Sequence, residues 1–310
     1  ELLVDLVYQP FIGSESGDCC RLIRHALSLC QCTRRPDLAF EALRGASGCA
    51  IPLIRKGVHM PNSHPPEPLA GRVALITGGS RGIGLEAARG LGHQGATVLL
   101  VGADHDRAAT AAEMLIGEGI DAVGEGADVS DAIAMDALAA RLGPLAAPDI
   151  LVISAGVMSD KVSKTLRTSA EEWDRVIGVN LNGAFHAMRL FVPGMAERRD
   201  GRVITVSACL GRFTGPGTSG GLAPYRVSKA GLNAMTKNLA AEMMHGKRGV
   251  LVDAMCPNHC RTDMGGPEAP RSAAEGAETI VWLATRDLVD SEGNLARTGL
   301  LWEDREIVPW

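Results

Sequence analysis

The chain has no excess of positive charge: 31 lysines and arginines stand against 36 aspartates and glutamates, a formal net charge of -5. That balance excludes the basic footprint by which a protein neutralises nucleic-acid phosphates, so no nucleic acid is expected as partner. No apolar run approaches the ~18 residues of a membrane-spanning helix, and no membrane is expected either. Residues 1–20 lack the basic start and apolar centre of a secretory signal. Cysteine is scarce where regular patterning begins. Of eight, Cys19, Cys20, Cys30, Cys32 and Cys49 fall in the first 59 residues, and only Cys209, Cys256 and Cys260 in the rest. A cytoplasmic body with reduced thiols is the plain expectation.

What is present changes character near residue 60. Residues 1–59 show no sustained periodicity of 3.6 or 2.0. They are followed by Met60-Pro-Asn-Ser-His-Pro-Pro-Glu-Pro-Leu69, which reads as a Pro-rich linker over 60–70. We expect Met60 to be the native start and residues 1–59 to be a disordered or non-native extension. The rival is a genuine targeting or metal-binding segment, although Cys30-Gln-Cys32 lacks the paired CxxC spacing of a structural zinc site.

From residue 71 strands and helices alternate. Short continuous apolar runs at Val73–Ile76, Val98–Val101, Ile150–Ser154, Val203–Val206 and Val250–Ala254 suit strands buried on both faces, and Gly299–Trp302 suits a last one. Between them, 83–93, 105–117, 130–141, 170–198 and 223–245 read as helices. Such alternation predicts a single α/β domain over 71–310. Its fold is a Rossmann-type doubly wound parallel sheet of about seven strands with helices on both faces.

Two segments carry chemistry. Thr77-Gly-Gly-Ser-Arg-Gly-Ile-Gly84 follows the first strand and opens a helix, so its glycines permit a tight turn and its free N–H groups can meet a pyrophosphate. The spacing is GxxxGxG rather than GxGxxG. Far downstream lies Tyr225-Arg-Val-Ser-Lys229. Hydride transfer between an alcohol and a nicotinamide needs a proton carrier at the oxygen. A phenol serves if its pKa falls from about 10 toward neutral, and a lysine one helical turn away can hold the phenolate.

With Asn180 and Ser207 between them in order, these segments resemble the short-chain dehydrogenase/reductase family over residues 69–310. The resemblance implies an NADP(H)-dependent oxidoreductase interconverting a carbonyl compound and its alcohol. Tyr225 would be the acid/base, and Lys229 would hold the phenolate and the nicotinamide ribose. Ser207 would bond the substrate oxygen, and Asn180 would hold a water leading from Lys229 to solvent, with Asn182 as the nearby alternative. The cofactor residues implied are Gly78, Ser80, Arg81, Gly82, Ile83, Gly84, Asp128, Val129, Ala155, Gly156, Pro257 and Thr262, besides Tyr225 and Lys229. The NAD-type aspartate position is Gly102 and the neighbouring NADP-type arginine position is Ala103, while Arg81 matches the other basic position. NADP(H) is therefore favoured, with NAD(H) possible through Asp104.

Two departures stand out: Ser154 replaces the asparagine of Asn-Ala-Gly, and Asn258 replaces the glycine after Pro257. The tail, Glu275–Ala284 and Trp302–Trp310, is similar to a carbonyl-reductase-like subgroup that includes plant menthone-type reductases. Tyr225 lies 18 positions after Ser207, and the glycine-rich 214–224 loop between them is expected to shape substrate access. Val157, Met158, Leu210, Phe213 and Met264 on the pocket loops imply a small apolar carbonyl or alcohol substrate. A homodimer or homotetramer is expected through 170–198 and 223–245. Cys256, His259 and Cys260 supply three potential ligands and no fourth, so no metal is expected. The alternative function is a dinucleotide-binding sensor or scaffold of weak or no activity. Ser154 and Asn258 favour it; the intact Ser207, Tyr225 and Lys229 weigh against it.

Overall fold

Eight strands form one sheet in the order β3-β2-β1-β4-β5-β6-β7-β8 in a computed structural model that describes residues 67–160 and 163–310. Neighbours run parallel except β7 and β8, which pair antiparallel. The strands are β1 (Val73–Thr77), β2 (Thr97–Gly102), β3 (Ala122–Gly126), β4 (Ile150–Ile153), β5 (Gly201–Val206), β6 (Val250–Met255), β7 (Leu301–Glu303) and β8 (Glu306–Val308). The helices are α1 (Gly82–Gly92), α2 (His105–Gly117), α3 (Ala132–Leu142), α4 (Ala170–Ile177), α5 (Gly183–Arg198), α6 (Ala223–Glu242) and α7 (Ala273–Thr285). The expectations for residues 1–59, and for the linker as far as residue 66, lie outside the described residues. Leu69, at the end of that linker, is already buried in the core.

The continuous apolar runs work because both sheet faces are covered. Ala74 and Ile76 of β1, Val98 and Leu100 of β2, and Ile150 and Val152 of β4 point to one side, where α1, α2 and α7 add Leu91, Leu115 and Ile280. Leu75, Leu99, Val101, Leu151 and Ile153 point to the other, against Met135 and Leu138 of α3 and Phe191 and Met195 of α5. Alternation within an all-apolar strand is the expected signature of a sheet buried on both sides. Polar caps fix where helices begin. Asp104 accepts from the Arg107 amide, Asp131 from Ile133 and Ala134, and Ser169 from Glu172, while Ser272 and Glu275 form a reciprocal capping box on α7.

Several expectations need correction. The stretch read as one helix over 170–198 is two, separated by a π-helical turn at Gly178–Asn182. The helix read as 223–245 ends at Glu242, because Met244 and His245 take left-handed φ of 52° and 48°. The helix α7, seen in sequence only as tail similarity, packs along α1. The final strand is half of a hairpin turned at Asp304 and Arg305, both with positive φ. Near that hairpin, buried Asp253 accepts from Arg286, Trp302 Nε1 and the Leu300 amide at 2.8, 3.1 and 3.1 Å. The Arg286 guanidinium lies 5.1 and 5.0 Å from the rings of Trp282 and Trp302, tying β6, β7 and α7 together.

Candidate active site

Strand order reverses direction between β1 and β4, and ligands of doubly wound sheets bind in the crevice at the strand C-termini beside such a switch point. Gly78, at φ +68°, leaves β1 in the left-handed region, where a Cβ would stand 2.7 Å from the Ala155 backbone. A Cβ on Gly84 would come within 2.2 Å of the Gly78 carbonyl, so α1 can start this close to the strand only with glycine there. Arg81 precedes α1 without a side-chain cap, and the first turn carries no acid. The helix N-terminus thus keeps donors and a positive dipole end for an anion. This cradle fits a dinucleotide pyrophosphate.

Around it lie the other residues the sequence assigned. Ser80 Oγ is 3.0 Å from where a Cβ on Gly102 would stand, which places the glycine loop against the end of β2. Arg81 pairs with Asp263, which follows Thr262, and a Cβ on Gly82 would meet Thr262 Cγ2 at 3.2 Å. Ile83 is half-buried in the same turn. Asp128 turns one carboxylate oxygen to the Ser130 amide and hydroxyl, and the Val129 carbonyl meets His186 Nδ1. Pro257 is buried, and Asn258 takes φ +63°, so the turn where the family has glycine is kept. Ser154 does not cost the link between β4 and β1. The Thr77 hydroxyl accepts from the Ala155 amide at 3.3 Å, and the Ser154 amide donates to the Thr77 carbonyl at 3.1 Å.

Tyr225 and Lys229 both start α6 and both are buried; the ammonium lies 5.9 Å from the Tyr225 ring centroid. Lys229 Nζ donates to the Val206 carbonyl at 2.7 Å, one residue before Ser207 at the end of β5. A Cβ on Gly156 would lie 3.6 Å from Lys229 Nζ and 3.4 Å from Asn180 Oδ1, so these groups surround one space. The π-helical turn buries Asn180 and leaves Asn182 exposed. Asn180 donates to the Val157 carbonyl and to Ser228 Oγ, both at 3.0 Å, and accepts from the Val157 amide at 2.7 Å.

The electrostatics differ from the sequence expectation. Burial, with smaller effects from Cys256 and Cys209, pushes the Tyr225 phenol well above its ordinary value rather than toward neutral. Burial also lowers Lys229 to about 8, because an ammonium held 4% exposed loses most of its hydration. The hydrogen bond between the Cys256 and Cys209 thiols, together with burial, raises Cys256; that same bond draws Cys209 down. His259 Nε2 meets the Gly265 carbonyl and Cys260 Sγ the Pro257 carbonyl.

Asn233 escaped the sequence reading. Its Oδ1 accepts the Ser207 hydroxyl at 2.5 Å, and its Nδ2 donates to the Gly211 carbonyl at 3.2 Å. The signal was available, since Asn233 lies four residues after Lys229 and eight after Tyr225 on the same face of α6.

Residues 72–273 match the sequence pattern of the short chain dehydrogenase family. The 3-oxoacyl-[acyl-carrier-protein] reductase FabG of Pseudomonas aeruginosa is 33% identical over 248 residues, covering 78% of this chain and 96% of that protein. The crystal structure of the 3-oxoacyl-[acyl-carrier protein] reductase of Brucella melitensis superposes with a TM-score of 0.65 at 30% identity, covering 77% of this chain and 91% of the other. An actinorhodin polyketide ketoreductase crystallised with NADPH gives a TM-score of 0.65 at 27% identity, covering 75% and 95%. With the sheet order and the glycine cradle, these matches show that the chain belongs to the short-chain dehydrogenase/reductase family, enzymes that interconvert carbonyl and CH–OH groups with a nicotinamide dinucleotide.

Proposed function

We propose that this enzyme is an NADP(H)-dependent reductase of a carbonyl group carried on a substrate with an apolar chain, with Tyr225 as the acid/base. The observation that carries the reading is the convergence of buried Ser207, Tyr225 and Lys229 beside Gly156 and Asn180. When bound, the nicotinamide supplies the hydride. Tyr225, kept protonated by burial, donates its phenolic proton to the carbonyl oxygen as that oxygen gains charge. Lys229, lowered to about 8, holds the resulting phenolate and can return a proton near neutral pH. Ser207, its proton given to Asn233, accepts from the Tyr225 phenol or from the alcohol product, and Asn180 keeps the 157 segment and Ser228 in place while holding the water path to Lys229.

Preference for NADP(H) over NAD(H) rests on the end of β2. Gly102 and Ala103 bring no carboxylate to repel a 2′-phosphate, the Asp104 carboxylate caps α2, and exposed Arg81 follows Ser80, which lies against Gly102. The ketoreductase relative crystallised with NADPH supports that choice. The names of the 3-oxoacyl reductases support a ketone on an acyl chain. Leu166, Phe213 and Met264 are exposed apolar side chains on three loops, which supports an apolar chain on it. Exposed Trp173, Phe185 and Val227 on α4, α5 and α6 suit a homodimer or homotetramer.

The test is NADPH and NADH oxidation by the purified protein with a panel of 3-oxoacyl thioesters, ketones and aldehydes, with the alcohol product identified. Turnover with NADPH supports the reading. Tight NADPH binding without turnover of any panel member would establish the sensor or scaffold instead.

A further inference from the structure

The glycine-rich loop before Tyr225 has the composition of a floppy segment, with glycines at 215, 217, 220 and 221. Its geometry is otherwise. It contains two 3₁₀ turns, Cys209–Gly211 and Gly215–Thr218, and folds back so tightly that a Cβ on Gly217 would stand 1.6 Å from the Arg212 carbonyl. It enters α6 through Leu222 at φ +52°, with no side-chain cap. One side chain gathers it. Arg226, the residue after Tyr225, donates from Nε to the Gly221 carbonyl at 2.9 Å. From Nη1 it reaches the carbonyls of Pro216 at 3.0 Å, Gly217 at 3.2 Å and Leu210 at 3.5 Å. Among the described residues Arg226 makes no salt bridge, so its charge is directed to loop carbonyls rather than to a carboxylate.

This loop leaves the end of β5 after Ser207 and enters α6 just before Tyr225, so it borders the cleft. Across it, Ser163 accepts from the Ala223 amide at 3.0 Å, and a depression of about 630 Å³ is lined by Lys164–Arg167 on one side and by Gly220 and Gly221 on the other. Leu166, on the 164–167 side, is 97% exposed, and Phe213, farther back in the loop, is 78% exposed. We infer that Arg226 is a positioning residue for substrate specificity: by bonding the Gly221, Pro216 and Gly217 carbonyls, it holds the loop beside the cleft in one shape and so limits the size of the chain the carbonyl substrate can carry. The inference rests on the carbonyl-reductase reading of the cleft. A planar guanidinium can serve several carbonyls from one fixed fork, whereas an ammonium on a flexible stem cannot keep that set.

The experiment compares wild type with Arg226→Lys and Arg226→Met, using NADPH, a small methyl ketone and a long-chain 3-oxoacyl thioester. Proteolysis of the 212–221 segment is followed in parallel. The expected result is a KM for the long substrate changed by about tenfold or more in both variants, with kcat on the small ketone within a few fold of wild type. Dissociation of NADPH should stay within about twofold, and cleavage in the loop should be at least ~10 times faster. Arg226→Lys keeps charge and helix propensity, so it reads the loop even if the methionine variant folds poorly. Unchanged KM and unchanged cleavage would overturn the inference. So would a loss of kcat on the small ketone as large as that of Tyr225→Phe, because Arg226 would then act on the chemistry. A wild type that reduces no substrate defeats the functional reading; the cleavage comparison still decides whether Arg226 holds the loop.

Discussion

Ser207 gives its single hydroxyl proton to Asn233 Oδ1 at 2.5 Å, and Asn233 is kept in that orientation by its own bond to the Gly211 carbonyl. With its proton held there, the serine oxygen has only its lone pairs left to offer, as an acceptor. Asn233→Leu removes the acceptor and lets the hydroxyl rotate. We expect kcat to fall by roughly tenfold, the scale of a lost orientation at a reacting group, with NADPH affinity unchanged. Steady-state kinetics and a binding titration check it; equal kcat in the two proteins would remove Asn233 from the account.

Lys229 makes the site costly to fold. Its pKa in the folded protein is about 8 against an ordinary 10.5. Between those values the unfolded chain binds more protons than the folded one, so the stability contributed at this position rises with pH across that window. Below about pH 8 the buried ammonium carries its full desolvation penalty, on the order of 3 kcal/mol. Lys229→Met abolishes the titration, while leaving the Val206 carbonyl without its donor. From pH 7 to 10.5, wild type should gain on the variant by about 3 kcal/mol in denaturant unfolding, groups common to both cancelling. A pH-independent difference would show that Lys229 is not desolvated as described.

Arg81 is 59% and Asp263 74% exposed, so their ion pair is a surface contact of small net worth and does not hold Arg81 back from a stronger partner. A charge-assisted bond to a 2′-phosphate is stronger, about 1.5–3 kcal/mol. Arg81→Ala should weaken NADPH binding by roughly tenfold or more and leave NADH nearly untouched. Asp263→Asn, which frees Arg81, should tighten NADPH by a few fold at most. Dissociation constants for both cofactors decide it. A wild type that prefers NADH, with the preference lost in Asp104→Asn, would make the α2 cap a ribose acceptor and this an NAD enzyme.

Much of this was legible because a doubly buried parallel sheet writes itself as short apolar runs. The span of α2 was read to the residue, and Gly78 follows β1, Ser207 follows β5, and Tyr225 and Lys229 lie on α6, as the alternation of strands and helices implied. What escaped has a physical reason in each case. β3 is Ala-Val-Gly-Glu-Gly, an edge strand whose Gly124 is required because a Cβ would come within 2.2 Å of the Ala108 carbonyl in α2. A third strand was expected before Asp128, but this composition gave no apolar run to mark its bounds. β8 depends on a turn in which Asp304 and Arg305 both take positive φ without being glycine or asparagine, and Arg271 holds Asp304 at 2.6 Å from a distant segment. The π-helical turn that buries Asn180 adds a residue to a helical repeat, which periodicity averages away. Arg226 looked like an arbitrary residue inside the Tyr–Lys motif because its partners are backbone carbonyls, and these leave no trace in side-chain pattern.

Tyr225 is proposed to deliver the proton during NADPH-driven reduction of a carbonyl. That role is tested most directly by the turnover of wild type and Tyr225→Phe on the best substrate of the panel, with NADPH binding measured in parallel. The expected result is a fall in kcat of roughly 10²-fold or more, the scale of a removed acid/base, with NADPH affinity almost unchanged. Lys229→Ala should lower both. Retention of kcat in Tyr225→Phe would contradict that role.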